Sequence, residues 1–169
     1  MLEASRRAFI VLGVATLLSA CSYSAPPPGS TAPPQLSTAA ITAAINGVRT
    51  ANGRKPLAYN YRLEQAARAQ AQTMAQKDIL SHDVGGTLRQ RVTAAGYSGA
   101  VGENVAGGQK TLEQAIEGWL SSPSHRETLL SDRFTEFGLA AATVQQGRNS
   151  RYGTYWAFIA GGSFEAWRI

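Results

Sequence analysis

The spacing of hydrophobic residues changes near residue 130 of this 169-residue chain, and the change restricts the folds that the chain can adopt. Up to about residue 130 they recur at the three- and four-residue intervals of amphipathic helices. Beyond that point Phe137, Leu139 and Ala141 alternate with smaller or polar residues, and residues 152–159 are rich in aromatic and β-branched types. Helices first and strands later, without strand–helix alternation, predict an α+β domain in which helices cover a central antiparallel sheet.

The helical region contains five segments that each start with a residue suited to capping a helix. The five capping residues are Ser37, Asn60, Thr87, Thr111 and Ser122. The first helix is expected to end at Asn52-Gly53 and the second to close at Ile79-Leu80, while the fifth runs to about Leu130. The first four segments have apolar residues at helical spacing, which gives each of these helices one face to bury.

Two further patterns complete the predicted sheet. The alternation of Val101, Glu103 and Val105 predicts a short strand. Residues 146–150, with the sequence QGRNS, form a turn-rich connector between the two alternating segments at the end of the chain. These two segments are therefore predicted to form a β-hairpin.

The first 20 residues have the three parts of an export signal. Arg6 and Arg7 form a charged start, and residues 9–18 form an apolar run that is too short to span a ~30 Å hydrocarbon core. The run ends in Leu-Ser-Ala-Cys at residues 18–21, which is typical of a lipobox whose cysteine, Cys21, receives a lipid. An ordinary cleaved signal is the alternative. Residues 5–10 also resemble a twin-arginine signal, so the export route stays open.

Cys21 is the single cysteine, which excludes an internal disulfide and leaves the domain to be held together by packing. Residues 22–36 contain five prolines and almost no large apolar side chains, as in an extended spacer. We therefore expect an export signal at 1–20, a lipidated tether at 21–36 and a folded domain at 37–169. Ser22 carries no charge that would retain the protein at an inner membrane. In an organism with two membranes, the expected location is the periplasmic side of the outer membrane.

The formal net charge of +5 is modest and spread along the chain. No basic stripe with interleaved aromatic residues is visible in the sequence, which argues against a nucleic-acid partner. Such a charge fits the anionic surface of a cell envelope.

The chain has two histidines, His82 and His125, and one carboxylate in an unusual setting. Glu103 lies within a strand that is otherwise apolar. Burying a carboxylate costs several kcal/mol unless a cation, a hydrogen-bond donor or a metal is beside it. The two histidines are the natural candidates for such a partner.

Several motifs around these residues resemble one known family. Residues 102–106, GENVA, look like its GEN-[LIV]-A motif, and His82 follows the second helix as the first family histidine does. Residues 119–126 match the pattern W-x-x-S-P-x-H-R, and His125 precedes Gly138 by the family's interval. On these motifs, which cover residues 38–163, the chain is identified as a member of the CAP superfamily of cysteine-rich secretory and pathogenesis-related proteins.

The resemblance implies an α-β-α sandwich with a cleft that holds two histidines and two glutamates. His82, Glu103 and His125 match three of these positions, whereas the second glutamate is replaced by Ser122. This departure weakens the case for a catalytic pair of carboxylates. The resemblance further implies binding of lipids or sterols. We therefore expect an envelope ligand that is a lipid, a sterol-like molecule or cell-wall material.

Two imidazoles and a carboxylate are adequate ligands for Zn²⁺ or another divalent cation, with water or Ser122 completing the shell. The leading hypothesis is a binding module with a metal at His82, Glu103 and His125. One alternative is a metal-assisted hydrolase of peptides or cell-wall material, with Glu103 as the base. Another is a non-catalytic envelope interaction protein whose histidines only pack. Ser122 begins a helix with Pro123 at its first position, a setting more typical of a cap than of a nucleophile.

Overall fold

A computed structural model describes residues 36–168, which contain five α-helices, four strands and one 3₁₀ helix. In chain order these are α1 (Thr38–Ala51), β1 (Ala58–Tyr59), α2 (Tyr61–Lys77), α3 (Leu88–Ala94), β2 (Ala100–Gly107), α4 (Leu112–Ser121), α5 (Pro123–Leu130), β3 (Glu136–Thr143), β4 (Thr154–Gly162) and the 3₁₀ helix (Phe164–Trp167). The predicted export signal, Cys21 and the tether up to residue 35 lie outside the described residues.

The four strands form one sheet in the order β1-β3-β4-β2. The β3–β4 and β4–β2 pairs are antiparallel, as predicted, and the short β1 adds a parallel edge to β3. Glu103 in β2 is opposite Ile159 in β4. Within residues 36–168, β2 pairs only with β4, so its other side is a free edge of the sheet in this part of the chain.

Helices cover both faces of this sheet. Side chains of β4 alternate between the two cores, since Trp156 and Phe158 pack with α1, α4 and α5, whereas Tyr155 and Ile159 pack with α2 and α3. Both faces of the sheet are therefore buried, and the predicted α-β-α sandwich is confirmed.

The predicted helix starts are confirmed, because the capping residues Ser37, Asn60 and Thr87 accept hydrogen bonds from the first turns of their helices. The predicted end of the second helix is wrong. The helix stops at Lys77, and Asp78 adopts a left-handed conformation with φ of 55°. The Asp78 carboxylate accepts hydrogen bonds from the hydroxyls of Ser150 and Tyr155, so a contact with the β3–β4 hairpin sets the end of α2.

Two elements were not predicted. β1 has only two residues, too few to show any periodicity, and it forms because the amide of Ala58 donates to the Thr135 carbonyl. The 3₁₀ helix Phe164–Trp167 follows β4 directly. Among residues 36–168, no helix is both long enough and apolar enough to cross a membrane.

Candidate functional site

The candidate site lies at the free edge of the sheet, along β2. Successive residues of a strand point to opposite faces, so Glu103 points towards the α2–α3 layer and Asn104 towards the layer of α4 and α5. His82 lies in the loop after α2, and His125 lies on α5. Side chains from the two helical layers can meet here without crossing the sheet, and the two imidazole centroids are 6.4 Å apart.

Glu103 is the polar centre of this arrangement, with only 2% of its side chain exposed. Its Oε2 lies 2.9 Å from Nδ1 of His82. Its Oε1 accepts a hydrogen bond of 2.7 Å from Nη2 of Arg91, whose own side chain is 8% exposed. A buried carboxylate was expected to need a partner, and Glu103 has two, the imidazole of His82 and the guanidinium of Arg91.

Arg91 is the functional residue that sequence reasoning missed. The requirement for a cation was visible, but Arg89 and Arg91 both lie on α3, and the spacing does not distinguish them. Arg91 also donates to the carbonyl of Gly86, which holds the guanidinium against the loop before α3.

The two histidines have opposite electrostatic environments. The hydrogen bond to Glu103 raises the pKa of His82 above 6.5, although partial burial opposes the shift. Burial lowers the pKa of His125 below 6.5, and the neighbouring charge of His82 lowers it further. The two imidazoles therefore protonate in separate steps as the pH falls, with His82 first.

Two fully buried carboxamides hold the backbone that carries these imidazoles. The Gln70 side chain donates to the carbonyls of Ser81 and His82, and Nδ2 of Asn104 donates to the His125 carbonyl at 2.8 Å. The side-chain oxygens of both residues, Oε1 of Gln70 and Oδ1 of Asn104, have no hydrogen-bond partner within the described part of the chain. Asn104 belongs to the GENVA motif, whereas nothing in the local pattern around Gln70 distinguishes it from Gln72.

Ser122 lies between α4 and α5, half-buried, with Pro123 at the first position of α5. It occupies the capping position as expected, but its hydroxyl makes no capping hydrogen bond in α5. The position of Ser122 therefore agrees with the sequence prediction, and its expected capping interaction is not made.

The residues fit a divalent cation only in part. Within residues 36–168, no group of three histidine, cysteine or acidic side chains is arranged to hold a metal ion. Both carboxylate oxygens of Glu103 are engaged, one of them by a guanidinium, so Glu103 does not fit the ligand role expected for it. His82 does fit, because a ligating histidine commonly donates its other ring nitrogen to a carboxylate.

An α-β-α sandwich with two histidines and a glutamate at an edge of its sheet is the arrangement implied by the family that the sequence motifs resemble. The family described as "CAP: Cysteine-rich secretory protein family" matches residues 42–159. The chain belongs to this family.

Similar proteins come from several bacteria. Protein YkwD of Bacillus subtilis (strain 168) is 35% identical over 97 residues, which make up 56% of this chain and 38% of YkwD. A solved extracellular protein with an SCP domain from Bacillus anthracis is 25% identical, with a TM-score of 0.58 over 70% of this chain and 38% of that one. An outer surface protein of Borrelia burgdorferi shares the fold, with a TM-score of 0.63 and 21% identity over 73% of this chain and 90% of that one. This chain thus spans well under half of YkwD and of the B. anthracis protein.

Proposed function

We propose that this protein is a lipid-tethered, extracytoplasmic binding module whose cleft takes a divalent cation through His82 and His125. The observation that carries the proposal is the approach of the two imidazoles to 6.4 Å around the edge strand β2. Nδ1 of His82 faces Glu103, so Nε2 remains for a ligand. Glu103 and Arg91 then act as positioning residues that orient His82.

Two imidazoles leave the remaining coordination positions of a tetrahedral cation open. When a cation is bound, water would fill these positions, and an oxygen of an envelope ligand would replace that water. The His82 side chain is 51% exposed, so a ligand in solution can reach this imidazole. A lipid, a sterol-like molecule or cell-wall material are the ligand classes that we propose for this position.

Catalysis forms no part of the proposal. A metal-assisted hydrolase needs a carboxylate free to take a proton from the attacking water. Both oxygens of Glu103 are already bound by Arg91 and His82. Binding without turnover therefore accounts better for the contacts of this carboxylate.

The proposed location rests on the N-terminal sequence and on the relatives. The export signal and Cys21 predict a lipid anchor. The B. anthracis relative is described as extracellular and the B. burgdorferi relative as an outer surface protein.

Mass spectrometry of the protein extracted from membranes should find a diacylglyceryl group on Cys21, and Cys21→Ser should leave the chain unprocessed or release it. An unmodified Cys21 on a processed chain would remove the tether from the proposal.

Zinc titration of the full chain tests the cleft, with Cys21→Ser as the background so that the thiol binds no metal. His82→Ala and His125→Ala should each abolish zinc binding, whereas Glu103→Gln should weaken it by about 10–100-fold, as expected for a residue that orients a ligand. Glu117→Gln, an exposed carboxylate on α4, is the matched control and should bind as the background does. Unchanged zinc binding in both histidine variants would refute the metal site. Hydrolysis of peptidoglycan that is lost in Glu103→Gln would replace binding with catalysis.

A further inference from the structure

The 3₁₀ helix after β4 presents two aromatic side chains to solvent. Phe164 is 54% exposed and Trp167 is 41% exposed, although both are large apolar residues. Side chains three residues apart in a 3₁₀ helix lie on the same side, so the two rings share one face. The Trp167 ring also packs on buried Phe134, with centroids 5.5 Å apart, which fixes this helix to the core.

Each exposed ring lies against an arginine from a different element. The Arg89 guanidinium of α3 is 5.6 Å from the centroid of Phe164, and that of Arg133, between α5 and β3, is 4.6 Å from Trp167. Arg168 adds a third arginine, but its Nη1 lies 3.1 Å from Oε2 of exposed Glu165, so this pair adds no net charge and the net charge of the face comes from Arg89 and Arg133. We call Arg89, Arg133, Phe164, Trp167 and Arg168 the aromatic–arginine face.

We propose that the aromatic–arginine face docks on the surface of an anionic phospholipid bilayer. Aromatic rings enter the boundary between headgroups and acyl chains, and arginines beside them pair with lipid phosphates. The face offers both groups together, and its charge is complementary to such a surface. This inference concerns a different part of the molecule from the histidine cleft and does not depend on the metal.

Other occupants fit the face less well. Small ligands favour concave sites. Two cavities, of about 440 and 300 Å³, lie near α5 and near α2, and no residue of the face lines either one. A second copy packed symmetrically on this face would bring the positive charges of both copies, Arg89 and Arg133 of each, into one interface. A flat, anionic and partly apolar surface suits the face better than either.

Trp167 supplies a specific optical probe, because Trp119 and Trp156 are 1% and 0% exposed. The experiment measures tryptophan emission of the full chain carrying Cys21→Ser, at saturating vesicles with brominated acyl chains. Phosphatidylglycerol vesicles should quench Trp167 and shift its emission to shorter wavelength, whereas phosphatidylcholine vesicles should not. The apolar N-terminal run is the same in every variant, so any attachment to vesicles through it is also the same. Differences between variants in the fraction of Trp167 emission quenched therefore report on the aromatic–arginine face.

Variants separate docking from general charge effects. Arg89→Gln and Arg133→Gln should each lower the ratio of docked to undocked protein about fivefold, and the double variant about 25-fold. Arg151→Gln is the matched control, because Arg151 also stacks on an aromatic ring, that of Tyr152. Arg151 precedes β4, whereas the aromatic–arginine face follows the other end of this strand. Trp167→Phe should remove the quenched signal.

Three results would overturn the inference. One is equal quenching by phosphatidylcholine vesicles, and another is no greater loss in Arg89→Gln and Arg133→Gln than in Arg151→Gln. The third is a shift of Trp167 emission by soluble poly-glutamate as large as that caused by phosphatidylglycerol vesicles, which would indicate a soluble anionic partner.

Discussion

The guanidinium of Arg91 lies 2.7 Å from the carboxylate of Glu103, and the two side chains are only 8% and 2% exposed. The pair joins α3 to the edge strand β2 and presents the second carboxylate oxygen to His82. Replacing both residues of such a buried ion pair by apolar ones changes the free energy of unfolding little. Removing only one partner lowers it strongly, because the other charge is then buried without a partner.

We therefore expect Arg91→Met to lower the free energy of unfolding by about 3–5 kcal/mol, since Glu103 loses its permanent cation. The double variant Arg91→Met/Glu103→Gln should recover much of that loss, because no charge is left unpaired. Urea unfolding of both variants and of Glu103→Gln gives the coupling free energy through a double-mutant cycle. Additive effects of the two substitutions would show that the pair is not coupled in solution.

The histidines should titrate on opposite sides of pH 6.5, His82 above it and His125 below it. Proton NMR of the imidazole C2 protons measures both midpoints. Glu103→Gln should lower the midpoint of His82, and His82→Ala should raise that of His125 by removing a neighbouring charge. If both imidazoles titrated with the same midpoint in the native protein, the prediction that their environments shift the two pKa values in opposite directions would be wrong.

The same shifts predict the pH dependence of stability and of metal binding. His82, with its raised pKa, stabilises the fold below pH 6.5, and this contribution is lost as the pH rises through its folded-state pKa. His125, with its lowered pKa, contributes above pH 6.5 and loses this contribution as the pH falls from there through its folded-state pKa. Zinc needs both rings neutral, so its binding should weaken as the pH falls through the higher midpoint, that of His82. Zinc titrations across this range check the order.

Gly138→Ala should destabilise the domain by about 1–3 kcal/mol or more, as overpacking in a core does. A Cβ at Gly138 would clash with the backbone of Leu63 and Glu64 at the start of α2, and backbone atoms cannot move aside as a flexible side chain can. Gly47→Ala is the control, because no atom lies within 4 Å of the added methyl group on α1, and it should stabilise by about 0.5–1 kcal/mol. Thermal unfolding of the two variants measures the contrast, and equal melting temperatures would contradict the close approach of β3 to α2.

Trp119→Ala should destabilise the domain by about 3–5 kcal/mol, because Trp119 is 1% exposed and its ring nitrogen donates to the Val105 carbonyl at 3.2 Å. Trp167→Ala serves for comparison, since its ring is 41% exposed but packs on Phe134, and its effect should be smaller, about 1–2 kcal/mol. Chemical denaturation of both variants tests the ranking. A Trp119→Ala variant that unfolds like the native protein would mean that this ring is not part of the core.

Interactions within a few residues made much of the fold predictable from the sequence. A capping side chain bonds to an amide three residues on, as Thr87 does with Gln90, so helix starts are visible in the local sequence. The alternation in β3 and β4 is equally local, and the order of the motifs around His82, Glu103 and His125 indicated the family and its layered fold.

Contacts between distant segments were decided only by the tertiary structure. The choice of Arg91 over Arg89 depends on which side of α3 faces β2, and the end of α2 depends on Ser150 and Tyr155, more than 70 residues away. The meeting of His82 and His125 depends on the position of β2 at the edge of the sheet, because only at an edge can side chains from opposite layers approach each other. Strand order is set by the packing of the whole chain, and the sequence of β2 itself contains no pattern that indicates its place at the edge.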